Sequence, residues 1–270
     1  MKTNPKDYRP NVGMMIINQN IGMRLDDAFS FPYNMTLGAI EDESLVYKVG
    51  ERIGKHANRL GVHINFAPVV DINTNPDNPI IGSRSFGEDK FNVTEKALAY
   101  LKGMQSTNLM GSAKHFPGHG DTQTDSHYTL PLISFDKERI YDVELYPYKK
   151  LIENNLSSVM TAHINVPSLQ KGNLPSTLSN NIINNILKNE LSFNGLIVTD
   201  ALDMKGVVDF TKKEYADVSA MKVGNDILPP SMKLNRYDDK ENQATYKKGS
   251  IFHIPHIHSL VYILLWRLHL

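Results

Sequence analysis

The densest run of reactive side chains is Lys114-His115-Phe116-Pro117-Gly118-His119-Gly120-Asp121, continuing to Asp125-Ser126-His127. Three histidines, two aspartates and one lysine fall within fourteen residues, which is unusual for a solvated loop. Two chemistries fit these residue types. In the first, His115, His119 and an aspartate ligate zinc, since the two histidines stand four apart as on a metalloprotease helix. Pro117 and Gly118 lie between them and break such a helix, and no glutamate follows His115. In the second, Asp125 and His127 form an acid/base dyad. A carboxylate hydrogen-bonded to an imidazole fixes its tautomer and stabilises the imidazolium. Such a histidine can protonate a leaving oxygen and later deprotonate water.

A second segment, Gly195-Leu-Ile-Val-Thr-Asp200-Ala-Leu-Asp203-Met204, is an apolar strand ending in a carboxylate. Asp200 is either a helix cap that satisfies orphan N–H groups or a nucleophile able to form a covalent intermediate. Arg84, in the Gly-flanked loop Asn78-Pro-Ile-Ile-Gly-Ser-Arg84-Ser-Phe-Gly87, can clamp hydroxyls or a carboxylate. Arg24, in Gly22-Met23-Arg24-Leu25, carries almost no information alone. His163 ends a strand and reads equally as a satisfied core histidine or a ligand contact.

The elements that must hold these groups alternate between strand and helix patterns. Short apolar runs lie at 12–17, 62–70, 109–114, 157–164, 195–199 and 223–228. Pro68 marks where the 62–70 strand must stop pairing. Helical periodicity fills the gaps. Leu45, Val49, Ile53, Ala57 and Leu60 share a face over 42–60. Ala97, Leu98, Leu101 and Met104 do so over 94–104, with Asn92 and Glu95 as its cap. Asp136 caps a helix running to about Asn155, with Ile140, Val143, Leu151 and Ile152 inward. Ser179 caps another that carries Ile182, Ile183, Ile186 and Leu187. Strands separated by helices mean βαβ units and a parallel α/β sheet. Asp71, Lys114–His115, His163 and Asp200 each follow a different strand. That favours a (β/α)8 TIM-type barrel, whose site is built from all its βα loops, over an open sheet with one switch point. Neither GxGxxG nor GxxxxGK[ST] is present.

Composition narrows the function classes. Lys+Arg and Asp+Glu each number 29, for a net charge of zero across 270 residues. That balance speaks against a nucleic-acid binder or a polybasic membrane-surface protein. A hydrophobic share of 41% can build a core. The chain has no cysteine, which excludes thiolate zinc sites and a cysteine nucleophile. The apolar run 260–266 is far shorter than the roughly 20 residues of a membrane span. Residues 1–10 show no signal-peptide pattern, so the sequence as it stands reads as cytoplasmic. A longer N-terminus would reopen a periplasmic or secreted location.

Taken together, Lys114-His115-Phe-Pro-Gly-His-Gly with Asp125-Ser-His127, the preceding Arg84-Ser-Phe-Gly and the later Val-Thr-Asp200-Ala-Leu-Asp-Met resemble glycoside hydrolase family 3. More narrowly, they resemble its bacterial β-N-acetylglucosaminidase (β-hexosaminidase) branch, from about residue 21 to 228. The resemblance implies a (β/α)8-type barrel and retaining hydrolysis of terminal β-linked N-acetylglucosamine (GlcNAc). It implies Asp200 as nucleophile and His127 as acid/base oriented by Asp125. Arg24, Arg84, Lys114 and His115 match sugar-binding positions, and His163 the strand-end histidine of the pocket. No metal or organic cofactor is implied. The expected partner is a carbohydrate, a GlcNAc-containing glycan or muropeptide of peptidoglycan turnover. A β-glucosidase-type activity and an inactive sugar-binding remnant are the alternatives.

The chain departs from the family pattern in three places. Ile16-Ile17-Asn18-Gln19-Asn20 lacks the acidic residue usual before Gly-Met-Arg-Leu. Loss of one such charge-assisted sugar contact costs about 1.5–3 kcal/mol. The chain starts near the family's second strand, so the barrel is expected to lack its first strand. After Leu228 the pattern changes at Pro229, and 251–270 holds four of the ten histidines and the single tryptophan. The expected organisation is a partial barrel domain over 1–228 with an aberrant last helix, then an extraneous tail over 229–270.

Overall fold

A computed structural model describes residues 30–126, 128–208, 210 and 216–229, and also 15–18 and 262–263 as strand backbone. Along the chain run β1 (Met15–Asn18), α1 (Asn34–Gly38), α2 (Glu43–Arg59), β2 (Val62–Phe66), α3 (Lys90–Gln105) and β3 (Met110–Phe116). The helical segment α4 (137–153) comes next, then β4 (Ser158–Thr161), the π-helix α5 (Asn181–Glu190) and β5 (Leu196–Thr199). The short α6 (Lys205–Val208), α7 (Ala216–Lys222), β6 (Ile227–Leu228) and β7 (Tyr262–Ile263) follow. The strands pair in sequence order in one sheet. The first six are parallel, and β7 runs antiparallel to β6. The sheet curls into an incomplete half-barrel of the TIM type. Among the described residues the eight-stranded closure is not reached.

One face of the sheet packs on the helices through a large apolar core that includes Ala113, Val159 and Ile197. The other face carries a smaller cluster of Ile64, Phe66, Met160, Val198 and Ile227. The alternation along each strand separates the two. The face of α2 differs from the pattern expected. Val46, Gly50, Ile53, Gly54 and Ala57 are buried, while Leu45 and Leu60 are 45% and 50% exposed. The cause is a glycine seam with α3. A Cβ on Gly50 would lie 2.2 Å from the Tyr100 carbonyl oxygen, and one on Gly103 would lie 2.1 Å from that of Tyr47. Backbones this close centre the contact on the glycines and turn Leu45 and Leu60 away.

α3 also begins earlier than expected. Its cap is Asp89, whose carboxylate accepts from the Asn92 N–H. The Asn92 amide instead donates to the carbonyls of Gly38 and Phe86. Asp136 caps α4 as expected, accepting from the Arg139 N–H at 2.8 Å. That helix is not continuous. An α turn at Lys137–Arg139 passes into a π segment at Ile140–Glu144 before α geometry resumes at Tyr146–Glu153. Pro147 at the start of the last part has no N–H to continue the ladder. Ser179 caps α5 through its hydroxyl, 3.2 Å from the Ile182 nitrogen. All four expected apolar residues of α5 are buried.

Candidate active site

The chemistry-bearing residues converge because successive parallel strands end at the same rim. β2 stops at Phe66, and cis Ala67–Pro68 follows. The chain still runs beside β3: Val70 N–H donates to the Lys114 carbonyl at 2.9 Å, and Lys114 N–H to that of Pro68 at 3.2 Å. This delivers Asp71 next to His115. β4 leads through Ala162 to His163, and β5 ends directly before Asp200.

Asp71 is the hub of this rim, and its side chain is fully buried. Its two oxygens each lie 3.2 Å from the His115 backbone nitrogen. Oδ1 also accepts from the His119 N–H at 2.7 Å, and Oδ2 lies 2.7 Å from His115 Nδ1. Burial raises the Asp71 pKa to about 6, against the pull of His119, the two amides and Arg84. Burial, then Arg84 and Lys114, hold the His115 pKa well below the usual histidine range. His115 is therefore neutral beside a carboxylate. The sequence shows Asp71 only as a polar residue after a strand. Its partners, 44 and 48 positions away, are invisible there.

Arg84 sits at the end of a 3-10 turn, Gly82–Arg84. Its guanidinium donates to the Ile80 carbonyl at 3.2 Å, and Nη2 lies 3.3 Å from His115 Nε2. Asn78, also missed by the sequence reading, staples this turn to the histidine-rich loop. Its Oδ1 accepts from the N–H groups of Ile80 and Ile81, each at 2.9 Å. Its Nδ2 donates to the carbonyls of His119 and Gly120 at 2.8 and 3.0 Å. His119 Nδ1 lies 2.6 Å from Thr122 Oγ1 and its Nε2 3.5 Å from Ser126 Oγ. The rings of His115 and His119 meet edge to face at 5.9 Å. No group of three His, Cys, Asp or Glu able to hold a metal occurs among the described residues.

Lys114 is buried, and burial together with the Arg84 charge lowers its pKa to about 7, against the attraction of Asp200 and Asp71. Asp200 is partly open to solvent. Burial pushes its pKa up, but His115, His163, the Ala201 N–H and Lys114 outweigh that and hold it below the usual carboxylate value. It is an ionised carboxylate at a strand end, held by the Ala201 N–H. The Ala201 N–H donates to Asp200 Oδ1 at 2.8 Å, so the capping geometry and an available second oxygen coexist. His163 is buried, with Nδ1 2.9 Å from Thr177 Oγ1 and Nε2 2.9 Å from the Ala201 carbonyl oxygen.

Asp125 opens a turn whose carbonyl accepts from the N–H groups of Tyr128 and Thr129, at 3.0 and 3.1 Å. This turn packs on α6, where Gly206 N–H donates to the Ser126 carbonyl at 3.2 Å. His127 and Arg24 lie outside the described residues. Asp200, Lys114, His115, Arg84 and His163 are thus brought to one rim, with Asp125 on a loop docked against the helix that follows Asp200. No helix of the described residues is long and apolar enough to cross a membrane.

Residues 12–253 match the glycosyl hydrolase family 3 N terminal domain. The beta-hexosaminidase A of Pseudoalteromonas piscicida is 39% identical over 230 residues, which span 80% of this chain and 38% of that protein. A beta-hexosaminidase of Hydrogenovibrio crunogenus is 30% identical over 231 residues, 85% of this chain and 64% of that one. The solved structure of a glycoside hydrolase family 3 beta-N-acetylglucosaminidase from Paenibacillus sp. superposes with a TM-score of 0.77 at 39% identity. That match covers 80% of this chain and 41% of the other. The chain spans less than two thirds of the length of these curated relatives.

Proposed function

The chain belongs to glycosyl hydrolase family 3 through its N-terminal domain, and from that premise we propose that it is a retaining glycosidase removing terminal β-linked GlcNAc. The reading is carried by Asp200, an ionised carboxylate, partly open, at the end of β5, with the Ala201 N–H on one oxygen and Lys114 nearby. Two similar proteins bear the name beta-hexosaminidase. In this mechanism Asp200 attacks the anomeric carbon of the sugar. The glycosidic C–O bond breaks as protonated His127, oriented by Asp125, gives its proton to the leaving oxygen. Neutral His127 then takes a proton from water, which displaces Asp200 and regenerates the β anomer. Lys114, His115, Arg84 and Arg24 bind sugar hydroxyls. GlcNAc-containing peptidoglycan fragments are the proposed natural substrate.

Release of the aryl group from aryl β-GlcNAc and aryl β-glucoside tests the reading. Turnover of the GlcNAc substrate that vanishes in Asp200→Ala supports it. Turnover of the glucoside alone, or binding without turnover, overturns it.

A further inference from the structure

We propose that Asp71 is a positioning residue that locks His115 in the Nδ1–H tautomer, so that His115 Nε2 accepts from Arg84 and holds the guanidinium in place to donate to a sugar hydroxyl. The ligand named here rests on the glycosidase reading; the tautomer does not.

At first sight Asp71 and His115 form a second carboxylate–imidazole pair, with Oδ2 and Nδ1 2.7 Å apart. Such a pair is a common way to build a general acid. The surroundings here forbid that role. Arg84 Nη2, a group that can only donate, lies 3.3 Å from His115 Nε2. A proton on Nε2 would point at a guanidinium. On the other side, Asp71 already receives the backbone N–H groups of His115 and His119, which marks it as a carboxylate. Its remaining capacity faces Nδ1 and calls for an N–H there. Both neighbours therefore select one neutral tautomer: proton on Nδ1, lone pair on Nε2. The backbone bonds serve a second end. They pin the peptide of His115 and the turn at His119 to the same carboxylate, so the ring cannot rotate without breaking the clamp.

A neutral histidine whose lone pair is fixed on Arg84 holds that guanidinium in one orientation at the rim. A sugar hydroxyl is itself both donor and acceptor. It can accept from the guanidinium N–H groups of Arg84 that Ile80 and His115 do not take. Replacing Asp71 by asparagine inverts the pattern. The backbone N–H groups hold the asparagine oxygen, which turns Nδ2, a donor only, to His115 Nδ1; His115 then carries its proton on Nε2 and loses the bond from Arg84.

The test is the long-range 1H–15N spectrum of the histidine side chains in the full chain, with His115 assigned through His115→Gln. The wild type at pH 7 should show a protonated Nδ1 and an unprotonated Nε2 at His115. Asp71→Asn should reverse them. On aryl β-GlcNAc, Asp71→Asn should raise KM about tenfold or more with kcat little changed, as expected when binding common to ground and transition states is lost. A wild-type His115 carrying its proton on Nε2, or carrying two, overturns the proposal even if Asp71→Asn does not fold. So does a variant that keeps the wild-type tautomer, or one that inverts it without moving KM. A chain that turns over neither aryl glycoside contradicts the glycosidase reading and leaves the tautomer result standing.

Discussion

His163 reaches past Asp200 to the backbone of Ala201: its Nε2 lies 2.9 Å from the Ala201 carbonyl oxygen. The N–H of the same residue donates to Asp200 Oδ1. The other ring nitrogen faces Thr177 Oγ1, which also donates to the Ala162 carbonyl at 2.8 Å. The imidazole thus ties the end of β4 to the turn after β5, and through one residue it sets the attitude of the Asp200 carboxylate.

This arrangement makes a prediction for His163. Removing the ring in His163→Ala frees the Ala201 peptide and misplaces the Asp200 carboxylate, a change of a kind that costs on the order of 100-fold in rate. The loss should fall on kcat. His163→Gln, which can still offer an N–H to Ala201, should lose less. Steady-state kinetics on aryl β-GlcNAc check this. A rise in KM alone, equal in both variants, would instead mean that the ring touches the sugar.

The pH dependence follows from two buried groups. Lys114 has its pKa lowered to about 7 and Asp71 has its pKa raised to about 6. Above pH 7 Lys114 loses its charge, and below pH 6 Asp71 gains a proton and releases its clamp. KM should therefore be lowest between the two and rise on either side. Lys114→Met should remove the alkaline limb. Stability moves the other way for this lysine. Between about 7 and its unfolded value of 10.5 the unfolded chain binds the proton and the folded chain does not, so Lys114 adds stability as pH rises through that window. Denaturation at pH 6 and pH 9 should show the difference between wild type and Lys114→Met shifting towards wild type at the higher pH. A difference independent of pH would contradict a charged lysine held against burial.

Gly206 joins the Asp125 turn to the Asp200 side of the site. A Cβ there would meet the carbonyl oxygens of Ser126 and Thr129 at 3.2 Å and His163 Cβ at 3.4 Å. Gly206→Val overfills this junction, at a cost of about 1–3 kcal/mol, and displaces the loop that carries Asp125 and His127. The expected result is a cooperatively folded protein with a lower melting temperature and a kcat reduced far more than KM is changed. An unchanged kcat would mean that the loop works without resting on α6.

What the sequence made legible were the residues whose signal is local. Asp200 follows a four-residue apolar strand, and Lys114–His115 ends another, so strand geometry places them at one rim. The caps at Asp136 and Ser179 were legible for the same reason. Asp71 and Asn78 were not, because each acts through partners more than forty positions away that only the parallel register brings near. The α2 face was misread because periodicity counts Leu45 and Leu60 as apolar but gives Gly50 and Gly54 no weight. In the packed helices the glycines decide the contact line. The π segments of α4 and α5 leave no trace in apolar spacing, since 140, 151, 182, 186 and 187 read as an ordinary helix.

Covalent trapping would identify the side chain that attacks the sugar. A 5-fluoro-GlcNAc fluoride slows release of the glycosyl-enzyme, and intact mass followed by peptide mapping locates the adduct. One added sugar is expected, attached through the side chain of Asp200 and absent in Asp200→Ala. Labelling of a different carboxylate, or full turnover of aryl β-GlcNAc by Asp200→Ala, would contradict that assignment.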